Sequence, residues 1–211
     1  MSIKKLIPPF NAERQLKATL ATTMYTDAND FLLRTNILLK DIELLSYAYL
    51  SKIYVDILMS IESNLKTLII ILSKNDETPE NVYKEARKHS HKIADLYNEV
   101  ENRAFRRIKL LSEKNKNELL NNAIKITVNN RYRLVTLTQI RSEGINTDWG
   151  LGEYSNLINY EYIRELQKTA FMIHEITNKA SGKYLDRMGM KGTNIEKFDD
   201  RFQEFLSNIR L

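Results

Sequence analysis

The chain has no cysteine, which excludes a disulfide framework, thiolate chemistry and a Cys-ligated zinc site, and which fits a reducing cytoplasm. It has only 3 prolines and 6 glycines in 211 residues. Breakers are therefore scarce, so long helices with short connections are favoured over a sheet, and no β-α-β rhythm appears. Long apolar runs are missing too. The most apolar stretch, Leu68 to Leu72, falls far short of the roughly 20 residues that cross a bilayer, and Lys52, Asp56, Glu62 and Lys66 interrupt its surroundings. Met1 to Pro9 lacks the apolar run of a secretory signal, which leads us to expect a soluble, cytoplasmic protein with no membrane contact.

What is present points the same way. Leu, Ile, Lys, Glu and Asn dominate, and an apolar content of 43% is ordinary for one globular core, so residues 1–211 are read as a single domain. The net charge of +5 permits an RNA, DNA or acidic partner without demanding one.

Helical periodicity divides the chain into segments. Asn11 caps a first helix to about Tyr25, Asp27 caps a second through Leu38, and Asp41 opens the longest, to about Leu72. Ser73 to Thr78 reads as a loop ending at Pro79, a residue suited to a first helical turn. One helix or a pair then covers Glu80 to Asn102, with a possible extension to Leu111, and another covers Asn115 to Ile126. Arg131 to Leu157 is irregular and reads as a long functional or partner-facing loop. Asn159 to Ala180 is helical with Gly182 as its stop, and Asn194 opens a closing amphipathic helix through Phe198, Phe202, Phe205 and Ile209. The expected architecture is all-α, an up-and-down helical bundle.

One acid stands out. Glu62 falls on the same helical stripe as Val55, Leu58, Leu65 and Ile69, the face a helix turns inward, and a carboxylate there needs a partner. Lys66, at i+4, a histidine or a distant arginine must approach it, and the pair reads either as a buried structural ion pair or as part of a site. Two arguments choose different histidines. An unbroken helix places His89 inward and His91 beside Lys88 and Asp95, whereas a break with Ser90 as N-cap places His91 in a first turn suited to anions. His174, at the border of an apolar face, reads as structural.

The basic residues allow several phosphate contacts. Arg103, Arg106 and Arg107 lie at i, i+3 and i+4, either a phosphate strip or a solvated face. Arg131-Tyr132-Arg133 joins a guanidinium fork to a ring able to stack on a base, or else anchors a loop. No metal site, cofactor site, P-loop or nucleophile elbow is read from the chain: His-Glu-x-x-His is absent, and Gly150-Leu151-Gly152 lacks the strand and further glycines of a dinucleotide motif.

The order Ile61-Glu62-x-x-Leu65-Lys66-x-Leu68-Ile69, then Ser90-His91-x-Ile93-x-x-Leu96-Tyr97, then Arg131-Tyr132 and a closing amphipathic helix resembles the HEPN superfamily (higher eukaryotes and prokaryotes nucleotide-binding domains). It is most similar to the branch with Glu-x-x-Leu-Lys, Gly-His-Asp-Leu and Arg-Tyr signatures, over a core of about residues 47–176 flanked by extra N- and C-terminal helices. The resemblance implies a helical bundle, a homodimer, RNA as partner and, in many members, metal-independent RNA cleavage in toxin–antitoxin or phage-defence systems. On that reading His91, Arg87 and Glu62 are catalytic, while Lys66, Arg131, Tyr132, Arg103 and Arg107 hold nucleic acid. The alternative it implies is a non-catalytic module of the same fold that binds a protein partner such as an antitoxin. The chain departs from the nuclease motif Arg-x4-6-His, because only three residues separate Arg87 from His91; Ser90 also stands for the glycine and Lys92 for the aspartate of Gly-His-Asp-Leu.

Overall fold

Asn11 starts the first helix by local chemistry alone: its side-chain oxygen accepts from the Arg14 amide at 3.0 Å, satisfying one of the donors a helix start leaves free. The computed structural model describes residues 11–41, 50–104, 109–125, 160–188 and 195–209. These form seven helices and no strand: α1 (Ala12–Lys40), α2 (Leu50–Ile71), α3 (Pro79–Lys88), α4 (Ile93–Ala104), α5 (Glu113–Lys125), α6 (Tyr160–Met188) and α7 (Ile195–Ile209). None of them is long and apolar enough to cross a membrane.

Several boundaries follow local signals. Thr78 caps α3, accepting from the Asn81 amide at 3.3 Å, and Pro79 occupies the first turn. Others do not. Asp27 caps nothing, because α1 runs unbroken from Ala12 to Lys40; Asp27 is exposed while its neighbour Ala28 is fully buried, so packing carries the helix through. Asp41 follows the end of α1, and residues 42–49 between it and α2 fall outside the described residues, as do Asn194 and the irregular stretch Arg131 to Leu157. The segment after Pro79 is a pair of helices, and Lys109 to Ser112 is not helical, so the extension to Leu111 fails. Gly182 does not stop α6, which continues six residues to Met188.

Cross-links between helices fix their directions. Arg34 grips Asp56 with two bonds of 2.6 and 2.5 Å, Ser60 donates to the Ala28 carbonyl at 2.8 Å, and Lys17 donates to the Lys74 carbonyl at 2.9 Å. As one number rises the other falls, so α1 and α2 are antiparallel. Asn64 meets His174 and Tyr54 stacks with Tyr162, so α2 and α6 run parallel. Arg201 with Glu80 and Phe205 with Tyr83 set α7 parallel to α3. Lys116 with Glu101 and Asn115 with Met172 turn α5 against both α4 and α6. These relations, among the described residues, fit the all-α helical bundle that the periodicity predicts.

α2 lies at the centre. Ile53, Tyr54, Ile57, Ile61, Leu65, Leu68, Ile69 and Ile70 are all fully buried, so most of its circumference is enclosed and only the stripe Lys52, Asp56, Met59, Ser63 and Lys66 reaches toward solvent. Its buried polar groups each find partners: Ser60 on Ala28, Asn64 on the Ser60 carbonyl at 2.9 Å and on His174 at 3.2 Å. His174 in turn stacks on Tyr25, with centroids 4.8 Å apart, and bonds its hydroxyl at 3.2 Å. Gln167 joins α6 to α1 through Thr35 at 3.2 Å and Asn36 at 2.9 Å. Arg201 clamps α7 onto the bundle, gripping Glu13 and Glu80, and its guanidinium holds the Glu80 carboxyl below the ordinary carboxylate range.

Two predictions follow from this packing. A Cβ added at Gly182 meets nothing within 4 Å, so Gly182→Ala stabilises the protein by about 0.5–1 kcal/mol in urea unfolding. Burial lowers the His174 imidazole pKa below its ordinary 6.5. The unfolded chain therefore takes up that proton first. The stability this neutral ring contributes is complete above the ordinary value and is lost as pH falls through it toward the lowered one. Between about pH 7.5 and about pH 5.5 the wild type loses more Tm than His174→Gln does; equal losses would show that burial does not reach this ring.

Candidate functional site

The stripe that carries Glu62 does turn inward. Val55 is 6% exposed, Leu58 1%, Leu65 and Ile69 0%, and Glu62 itself 2%. A carboxylate at that depth is tolerable only if both oxygens are paired. They are: Lys66 Nζ donates to Oε1 at 2.5 Å and His91 Nδ1 donates to Oε2 at 2.8 Å. Because an ionised carboxylate only accepts, Nδ1 carries the ring proton, and the second nitrogen, Nε2, keeps its lone pair. The His91 side chain is 46% exposed, which puts that lone pair within reach of solvent or a ligand.

The break between α3 and α4 delivers His91. Ser90 adopts φ 47°, the only positive φ of a non-glycine residue among those described. Its amide bonds the Arg87 carbonyl at 2.8 Å, closing α3, and the Lys92 amide bonds the His89 carbonyl at 2.9 Å. Lys92, not Ser90, then opens α4 by accepting from the Leu96 amide at 3.1 Å. The choice between histidines is thereby decided: the left-handed step swings His91 to Glu62, while His89, 18% exposed, faces Glu85 at 3.5 Å and Asp95 at 3.9 Å.

The other sequence-derived residues do not all join this centre. Arg87 is exposed, and among the described residues its guanidinium meets Tyr83 alone, 5.5 Å above the ring and 3.4 Å from the hydroxyl. Arg103 is 14% exposed and bound by Glu99 at 2.5 Å and Glu77 at 3.0 Å, so it serves as an internal clasp. Arg106, Arg107, Arg131 and Tyr132 lie outside the described residues.

Two features escaped the sequence reading. An open cleft of about 1370 Å³ is bordered by α1, α2, α4 and α6, and its lining sets six cations (Arg14, Lys17, Lys74, Arg103, Lys179 and Lys183) against three carboxylates. None of the Glu62 centre lines it; the nearest lining residue on α2, Ile71, is roughly 14 Å further along by helical rise. No periodicity signals a cleft assembled from four helices. The second feature is a cluster of Glu85, His89 and Glu99, whose ligand atoms lie within 4.8 Å of one another. Its one legible trace is the i,i+4 spacing of Glu85 and His89.

No family model, curated protein or solved structure matches the chain.

The left-handed residue yields a direct test. Ser90 is exposed, and its hydroxyl makes no hydrogen bond among the described residues, so glycine relieves backbone strain without losing a contact. Ser90→Gly raises stability by about 0.5–1 kcal/mol, the relief being partly offset by a freer unfolded chain. Denaturant unfolding measures it, and a loss of stability would show that the turn is not left-handed.

Proposed function

We propose that the chain is a HEPN-like RNA-binding protein that cleaves RNA without a metal, in bacterial phage defence or a toxin–antitoxin system, as a homodimer. The observation that carries this reading is the buried Glu62 holding one nitrogen of a half-exposed His91. Glu62 fixes the ring and its tautomer and stabilises the imidazolium when Nε2 takes up a proton. Nε2 is thereby a general base for a ribose 2′-OH. The 2′ oxygen attacks phosphorus, the bond to the 5′ oxygen breaks, and the proton held by His91 passes to that leaving oxygen. The product is a 2′,3′-cyclic phosphate, and DNA, without the hydroxyl, is spared. Lys66 holds the other Glu62 oxygen at 2.5 Å. Arg87, exposed at the end of α3, supplies positive charge for the phosphate once it leaves Tyr83. The exposed cations of the cleft, Arg14, Lys74, Lys179 and Lys183, support RNA binding beyond the reacting nucleotide.

A second reading, a non-catalytic module for a protein partner, draws on Leu33 and Ile37, which stand 55% and 54% exposed one turn apart on α1. In that reading Glu62, Lys66 and His91 serve only as a satisfied network.

Labelled RNA and DNA of one sequence, incubated with the protein in EDTA, separate the two. The wild type cuts only RNA and leaves cyclic phosphate ends, and His91→Ala cuts at least about 100-fold more slowly. Equal survival of RNA with both proteins, over a wide concentration range, rejects the nuclease. RNA affinity that stays constant as salt rises rejects the phosphate contacts as well.

A further inference from the structure

Glu85, His89 and Glu99 come together from three places: the last turns of α3, the turn after it, and the middle of α4. All three are partly buried, with side-chain exposures of 29%, 18% and 22%. The ring nitrogen that faces Glu85, His89 Nε2, is shielded from solvent and makes no hydrogen bond. The Glu85 carboxylate lies 3.5 Å away without hydrogen-bonding it. Two ligand atoms at that separation without a hydrogen bond are spaced as two corners of a tetrahedral ion site, where bonds near 2.0–2.1 Å put neighbouring ligands roughly 3.4 Å apart. On the far side of the ring, Asp95 lies 3.9 Å from Nδ1. Metal binding through Nε2 requires the tautomer with the proton on Nδ1, the nitrogen that faces Asp95.

From this geometry we infer that Glu85, His89 and Glu99 form a site for a divalent transition metal of the zinc class, with water completing the coordination. Two carboxylates and an imidazole suit zinc, and the two acids neutralise its charge. Competing contacts leave room for it. Lys88 reaches Glu85 Oε1 at 3.3 Å but is 66% exposed, a surface pair that yields readily. Arg103 occupies Oε1 of Glu99 and leaves Oε2 open. A metal here ties α3 to α4 across the Ser90 turn and so braces the segment that presents His91. Glu62 already holds His91 at 2.8 Å, so the metal shows itself in stability and spectroscopy and not as a reagent in cleavage.

Zinc titrated calorimetrically into the full, chelator-stripped chain, and cobalt followed by visible absorption, test the site. Saturable binding of one ion per chain is expected, with the absorption of a four- or five-coordinate centre and a raised Tm. His89→Ala and Glu99→Gln weaken it by at least about tenfold, while His91→Ala and His174→Gln leave it unchanged. If His89→Ala fails to fold, the wild type still decides: zinc must shift the NMR ring resonances of His89 more than those of His91 and leave those of His174 unmoved. The proposal is overturned by absence of saturable binding, by binding that His89→Ala retains, or by binding that His91→Ala removes. RNA is absent from these measurements and metal is chelated in the cleavage assay, so each result stands apart from the other.

Discussion

A carboxylate buried on the inward face of the central helix is the constraint from which the rest of the site follows. Glu62 is 2% exposed, and at that depth neither oxygen can rely on water. Lys66 is supplied by the same helix, one turn away, and satisfies one oxygen. The other can be satisfied only from elsewhere in the chain. His91 comes to it across 29 residues, through a left-handed step at Ser90 that ends α3 and redirects the backbone. The turn, the orientation of the imidazole and the exposure of its second nitrogen are consequences of one buried charge.

The same rule organises the remaining polar groups. Arg201 pulls α7 onto α1 and α3 by gripping Glu13 and Glu80, and Arg103, braced by Glu99 on its own helix, ties α4 to the loop before α3 through Glu77. Asn64, His174 and Tyr25 run a chain of bonds through α2, α6 and α1. Such groups add little net stability over apolar packing, but breaking one leaves its partner stranded.

Local signals were legible where a residue acts on its own neighbours. Asn11 and Thr78-Pro79 start helices by bonding amides three residues on, and their role can be read without knowing the fold. The need of Glu62 for a partner was legible as well, since stripe and charge lie in one helix. Asp27 and Gly182 misled for the same reason in reverse: both carry the chemistry of a boundary, yet α1 and α6 run through them, α1 with Ala28 buried beside Asp27. Arg103 looked like a phosphate contact because spacing on a helix does not tell which face meets an acid.

By itself the sequence determined the helical class, the apolar stripes and the presence of a charge that must be paired, because each depends on residues within one or two turns. Only the tertiary structure decided that His91 and not His89 meets Glu62, that Arg103 is clasped internally, and that Glu85, His89 and Glu99 converge. Those outcomes depend on how separate helices pack and on one left-handed residue between two of them, and contacts across such distances leave no periodic trace in the chain.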